Sequence, residues 1–146
     1  MPARVTVGVS LKKYFGHADA RRWFARVADL AARHPAVASG RVECFVIPTY
    51  LQVLPALEAF AGTPVLVGAQ DLAAADSGAY TGEVSGAELA EVGVRLVEVG
   101  HAERRRLFAE TEAVVAAKTA AALRNGLTPV LCLGELGARH LAGVGA

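Results

Sequence analysis

Five short apolar runs alternate with helical segments along this 146-residue chain, and no other feature constrains its fold so tightly. The runs are Val5–Leu11, Arg41–Ile47, Pro64–Ala69, Val94–Val99 and Pro129–Leu133. Each is short, nearly continuous and rich in β-branched residues, as expected of strands covered on both faces. Between them, Asp19–Arg33 reads as a helix, with Trp23, Val27 and Leu30 at helical spacing and arginines on the other side. His34-Pro35 stops it, because the residue before proline avoids helical geometry. Tyr50–Phe60 and Ala87–Val92 read as shorter helices, and Arg104–Arg124 as one long helix closed by a left-handed cap at Asn125-Gly126. Gln70–Ser85 is small, polar and glycine-containing, and reads as a loop too long for a plain connection.

A βαβαβαβαβ order specifies a parallel sheet with right-handed crossovers. It can remain an open doubly wound sheet or curl into part of a (β/α) barrel, whose full form needs about 250 residues. Neither a glycine-rich dinucleotide fingerprint nor a P-loop follows the first strand, which counts against a nucleotide-binding open sheet. The expected organisation is a partial barrel over residues 1–135, about five of the eight strands, with a tail of unclear structure over 136–146.

Composition narrows the function classes. At 53% hydrophobic and 20% charged residues, the chain is globular and not disordered. A formal net charge of +1 gives no reason to expect nucleic acid or an anionic membrane as partner. No run approaches the roughly 20 apolar residues of a membrane span, and the N-terminus does not read as a secretion signal. Cys44 and Cys132 lie far apart and read as small strand residues, so a reduced, cytoplasmic setting is expected. No histidine pair has metal-ligand spacing, and neither a metal nor a cofactor is expected. His17 and His34 read as loop and helix-end residues, and Arg104-Arg105-Arg106 as a solvated or salt-bridged helix face.

Three polar features fall at strand C-terminal ends, where barrels place their chemistry: Lys12, the loop Gly78–Glu83, and Gly100-His101-Ala102-Glu103-Arg104-Arg105. His101 reads either as a turn cap or as a neutral imidazole, kept so by the following helix N-terminus, that protonates a carbonyl or enediolate oxygen. Lys12 reads either as a surface lysine beside Lys13 or as a cation for a phosphate or an oxyanion. Glu103 reads either as an ordinary first-turn carboxylate or as a partner that orients Lys12.

These segments together resemble triosephosphate isomerase. Gly100–Arg105 is similar to that family's GHSERR signature, with Ala102 for Ser. Gly68–Asp71 and Gly78–Glu83 resemble its GAQN and GAFTGE segments, and Gly126–Glu135 its GLKPILCIGE stretch, all in the family's order. The resemblance covers residues from about 4 to 135 and implies a parallel (β/α) barrel of the TIM type. It implies interconversion of dihydroxyacetone phosphate and D-glyceraldehyde 3-phosphate through an enediolate, without a cofactor, in glycolysis and gluconeogenesis. On this resemblance His101 would be the neutral electrophile, Lys12 the substrate-binding lysine and Glu103 the carboxylate that contacts it. Thr81 would sit at a homodimer interface.

Two departures from the family pattern shape the expectations. Its strand-one NWKMN motif reads here Ser10-Leu11-Lys12-Lys13-Tyr14, with Ser10 for a substrate-contacting asparagine. That change suits a four-carbon ketose phosphate such as an erythrulose phosphate. Beyond Glu135, Leu136–Ala146 no longer resembles the family, whose later strands carry the catalytic glutamate and phosphate loops. The expected consequences are impaired catalysis by this chain alone, self-association through unpaired sheet edges, or a non-catalytic assembly role.

Overall fold

The computed structural model describes residues 5–134. Five parallel strands lie in sequence order, β1 (Val5–Ser10), β2 (Val42–Ile47), β3 (Val65–Ala69), β4 (Leu96–Val99) and β5 (Thr128–Leu131). The register runs Val5↔Val42 to Ser10↔Ile47, then Cys44↔Val65, Gly68↔Leu96 and Leu96↔Thr128. Neighbouring strands that are also consecutive in sequence, with helices outside, give the curled half of a (β/α) barrel.

The helices are α1 (His17–Arg33), α2 (Pro35–Ala38), α3 (Tyr50–Phe60), α4 (Gly86–Val92), α5 (Ala102–Leu107) and α6 (Glu112–Arg124). One apolar cluster packs Ala20, Phe24, Ala28 and Ala31 of α1 against Val46, Val65 and Val67. A second packs Val97 and Val99 of β4 against Leu89, Val115 and Ala122. Residues 70–85 form the expected long connection, tied at its base by a bridge between Ala73 and Ser85.

Several expectations are corrected. Helix α1 begins at His17, and its buried stripe is set by Ala20 and Phe24, with Trp23 and Val27 at its margin and Leu30 exposed. His34 ends α1 but also caps the short α2, accepting from the Ala36 N–H at 3.3 Å. Strand β1 is not covered on both faces: Val5, Val7 and Val9, which share one face, are exposed, and among the described residues β1 is an edge strand paired only with β2. Cys132 lies just past β5, half-buried, and not within a strand.

The largest correction concerns the segment read as one helix from Arg104 to Arg124. It is broken between α5 and α6. Ala109 takes a left-handed φ of 53° at the break. Thr111 then caps α6, its hydroxyl accepting from the Val114 N–H at 3.3 Å. Side-chain pairing explains the break. Glu110 is buried there and accepts from Arg104 Nε and Lys118 Nζ, both at 2.6 Å.

Candidate active site

Lys12, Gln70, Glu98 and His101 converge at the C-terminal ends of the strands, around a cavity of ≈ 430 Å³. Lys12 follows β1 in a left-handed conformation, φ 51°, which is costly for a residue with a Cβ. Its carbonyl is held by the Gln70 side-chain amide at 2.7 Å, and the Leu11 N–H donates to the Ile47 carbonyl at 2.9 Å. The surrounding strands therefore over-determine the lysine, as at pre-organised sites.

Gly100 turns the chain from β4 into α5 at φ 71°. A Cβ there would meet Val115 Cγ1 and Arg105 Nη2, each at 2.9 Å. Arg105 Nε donates to the Gly100 carbonyl at 2.6 Å, and its guanidinium also pairs with Glu112. The arginine run is thus partly internal: Arg105 braces the turn, while Arg104 joins the buried ion cluster and stacks over the Phe108 ring at 4.7 Å.

His101 caps α5. Its Nδ1 accepts from the Glu103 N–H at 3.1 Å. A nitrogen that accepts carries no proton, so the neutral ring carries its proton on Nε2. That nitrogen faces the interior, 3.9 Å from Glu98 Oε1.

The carboxylate that meets Lys12 is Glu98, at 3.8 Å, and not Glu103. Glu103 sits in the exposed first turn of α5, and the cap turns its carboxylate toward His101 Nδ1, 3.6 Å away. Glu98 instead points inward from β4 with its side chain 9% exposed. Ser10 Oγ donates to Glu98 Oε2 at 2.8 Å, and Cys132 Sγ lies 3.8 Å from Oε1. The thiol is pushed up from its ordinary range, first by burial and then by the Glu98 charge, both of which disfavour the thiolate. Sequence reasoning missed Glu98. The available signal was a carboxylate inside an otherwise apolar strand.

Asp71 and Arg104 line the same cavity and, with Glu110 and Lys118, form the ion cluster, in which Lys118 bonds both carboxylates. Burial works to raise Glu110, but hydrogen bonds from Lys118 and Arg104 outweigh it and hold the carboxyl below its ordinary range. Burial, reinforced by the Asp71 charge, pushes the nearby Tyr50 hydroxyl above its usual value. Thr81 lies away from this site, exposed on the long loop. His140 falls outside the described residues. Among the described residues, no His/Cys/Asp/Glu cluster could hold a metal, and no helix is long and apolar enough to cross a membrane.

Parallel strands in sequence order, with a polar site at their C-terminal ends, define a portion of a (β/α) barrel with its chemistry on the usual face. The chain belongs to the triosephosphate isomerase family, whose sequence pattern matches residues 5–144, so the likeness runs past Glu135, where the sequence motifs place its end. It is 52% identical over 132 residues to an L-erythrulose-1-phosphate isomerase of Pectobacterium atrosepticum, covering 90% of this chain and 51% of that one. It is 47% identical over 109 residues to a triosephosphate isomerase of Moorella thermoacetica, covering 75% and 44%. The crystal structure of triosephosphate isomerase from Bartonella henselae superposes with a TM-score of 0.77 at 28% identity, covering 89% of this chain and 52% of that one. The chain thus spans about half the length of the curated relatives it matches.

Proposed function

We propose that the chain carries the electrophile and cation of a sugar-phosphate isomerase site, of the kind that interconverts dihydroxyacetone phosphate and D-glyceraldehyde 3-phosphate. One observation carries this reading: Lys12 Nζ and the inward-facing His101 Nε2 flank a common space, 3.8 and 3.9 Å from the same Glu98 oxygen. On this reading an oxygen of a bound ketose phosphate lies between them. As a proton leaves the neighbouring carbon, charge builds on that oxygen. His101 gives its Nε2 proton to it, and Lys12 stabilises the charge and the phosphate. Glu103 is a positioning residue, since its N–H fixes the ring and its tautomer. The family resemblance assigns the carbon base to a later strand of the barrel. We further propose a cytoplasmic homodimer, with Thr81 on the partner-facing loop.

A second substrate has a specific observation in its favour. Ser10 stands where the family has asparagine and is bonded to Glu98, and the Pectobacterium relative is an L-erythrulose-1-phosphate isomerase. A four-carbon ketose phosphate is therefore the competing substrate, with the same carbonyl-shifting chemistry.

The test is isomerase activity of the purified chain, alone and mixed with the C-terminal half of a triosephosphate isomerase, on both substrates. Activity that falls by about 10²–10⁴-fold in His101→Gln supports the reading. No activity in any mixture, or equal activity in His101→Gln, sinks it and leaves a non-catalytic assembly role.

A further inference from the structure

Glu98 lines the cavity between Lys12 and His101, and the proposed proton transfer does not use it. It is also an unusual residue for that place, because a carboxylate opposite a developing oxyanion opposes the charge the site must stabilise. Its setting is nevertheless built and not accidental. The side chain is 9% exposed, Ser10 Oγ holds Oε2 at 2.8 Å, and Oε1 is directed at the space between Lys12 and His101. Oε1 makes no close hydrogen bond with either: 3.8 and 3.9 Å exceed hydrogen-bond length. Among the described residues its one other contact is the weak Cys132 thiol donor at 3.8 Å, so a strong acceptor faces the cavity without a strong, short partner.

We infer that Glu98, held by Ser10, is a specificity-determining residue that accepts the hydroxyl of the extra carbon in a four-carbon ketose phosphate. The inference rests on the isomerase reading above. A four-carbon ketose phosphate is a triose phosphate with one hydrogen of the reacting terminal carbon replaced by a hydroxymethyl group. On this reading that group lies beside His101, where Glu98, held by Ser10, offers a buried acceptor. A substrate with the hydroxyl satisfies the carboxylate, and a triose phosphate leaves it facing the oxyanion unmatched. Sites built to bond a substrate hydroxyl discriminate strongly against the analogue without it.

The test is titration of the ¹⁵N-labelled 146-residue chain with L-erythrulose 1-phosphate, dihydroxyacetone phosphate and inorganic phosphate, following the amides of Lys12, Gly100 and His101. The four-carbon ester is expected to bind at least about tenfold tighter than the triose phosphate. Glu98→Leu, which removes both acceptor oxygens, should bring the two affinities together by weakening only the four-carbon ester. Glu98→Gln, uncharged but still an acceptor, should keep most of the preference. Loss of dispersed amide signals in Glu98→Leu would shift the test to Ser10→Ala, which frees the carboxylate and should narrow the preference severalfold.

An equal preference in parent and variants overturns the inference. So does a parallel loss for both sugar phosphates in Glu98→Leu and Glu98→Gln, the mark of a carboxylate that serves only to hold Lys12. Failure of the isomerase reading itself looks different: neither sugar phosphate then moves these amides beyond what inorganic phosphate does, and both readings fall.

Discussion

Lys118 Nζ bonds both carboxylate oxygens of Asp71, at 2.8 and 2.9 Å, across 47 residues of sequence. Each side chain is less than a tenth exposed, and the same ammonium also bonds Glu110. This contact ties the start of the long loop to helix α6 and to the break before it. Removing one partner of a buried ion pair strands the other charge. Lys118→Met is therefore expected to cost about 3–5 kcal/mol. Urea unfolding followed by circular dichroism measures it, and a loss below about 1 kcal/mol, the range of exposed pairs, would contradict the assignment.

The tautomer of His101 can be tested without substrate. The Glu103 N–H at 3.1 Å requires a bare Nδ1 and places the proton on Nε2. Imidazole ¹⁵N spectra of the chain at neutral pH should show this single tautomer. A proton on Nδ1, or rapid averaging between tautomers, would remove the aimed donor on which the proposed chemistry depends.

Thr111 supplies a simpler check on the helix break. Its hydroxyl accepts from the Val114 N–H, so Thr111→Ala should destabilise the fold by about 1 kcal/mol. A continuous helix through residues 104–124 would instead tolerate alanine there, or gain from it, because alanine is the better helix former.

Reading these elements from sequence succeeds where the cause is local and fails where it is distant. The turn at Gly100-His101 is legible because a glycine at a strand end, followed by a first-turn carboxylate, specifies its own geometry. The cap at Gly126, φ 71°, is legible for the same reason. The break at Ala109 is not. Ala109 and Glu110 are good helix formers, and what stops the helix is Glu110 turning inward to Arg104 and Lys118. Glu98 announces itself only as a carboxylate inside an apolar strand, and its role is hidden in the same sense. Its partner Ser10 lies 88 residues away, joined only once the sheet curls. The exposure of β1 is illegible because its apolar run signals cover on both faces, and the described residues leave the face of Val5, Val7 and Val9 open at the sheet edge.

Gly100 should tolerate no side chain. Its φ of 71° disfavours any Cβ, and the nearest atoms would lie at 2.9 Å. One of them ends the flexible Arg105 side chain and can move, but Val115 is packed in the core. Gly100→Ala is therefore expected to cost about 1–3 kcal/mol, combining left-handed strain with overpacking. It should also broaden or shift the His101 amide. Unchanged stability would show that the β4–α5 turn relaxes freely.

Asp76 sets the acid limb of stability for the long loop. Its carboxyl accepts from Arg124 Nε and Nη2, both at 2.9 Å, and from the Asn125 amide at 2.8 Å. These bonds, the Arg124 pair foremost, lower its pKa from 3.8 to about 2. A carboxyl depressed in the folded state stabilises it above the ordinary value, and that stabilisation is lost as pH falls through the depressed one. The contribution of Asp76 should therefore be constant above about pH 5 and fade between about pH 4 and 2. Because the pair is partly exposed, salt should weaken the effect. Carboxyl NMR titration should place Asp76 at about 2 in the parent and return it toward 3.8 in Arg124→Ala. Unfolding midpoints across the same range should converge for parent and Asp76→Asn as the acid limb is descended. Curves that stay parallel down to pH 2, or a parent titration near the ordinary carboxyl value, would mean that the Arg124 contact does not anchor the loop in solution.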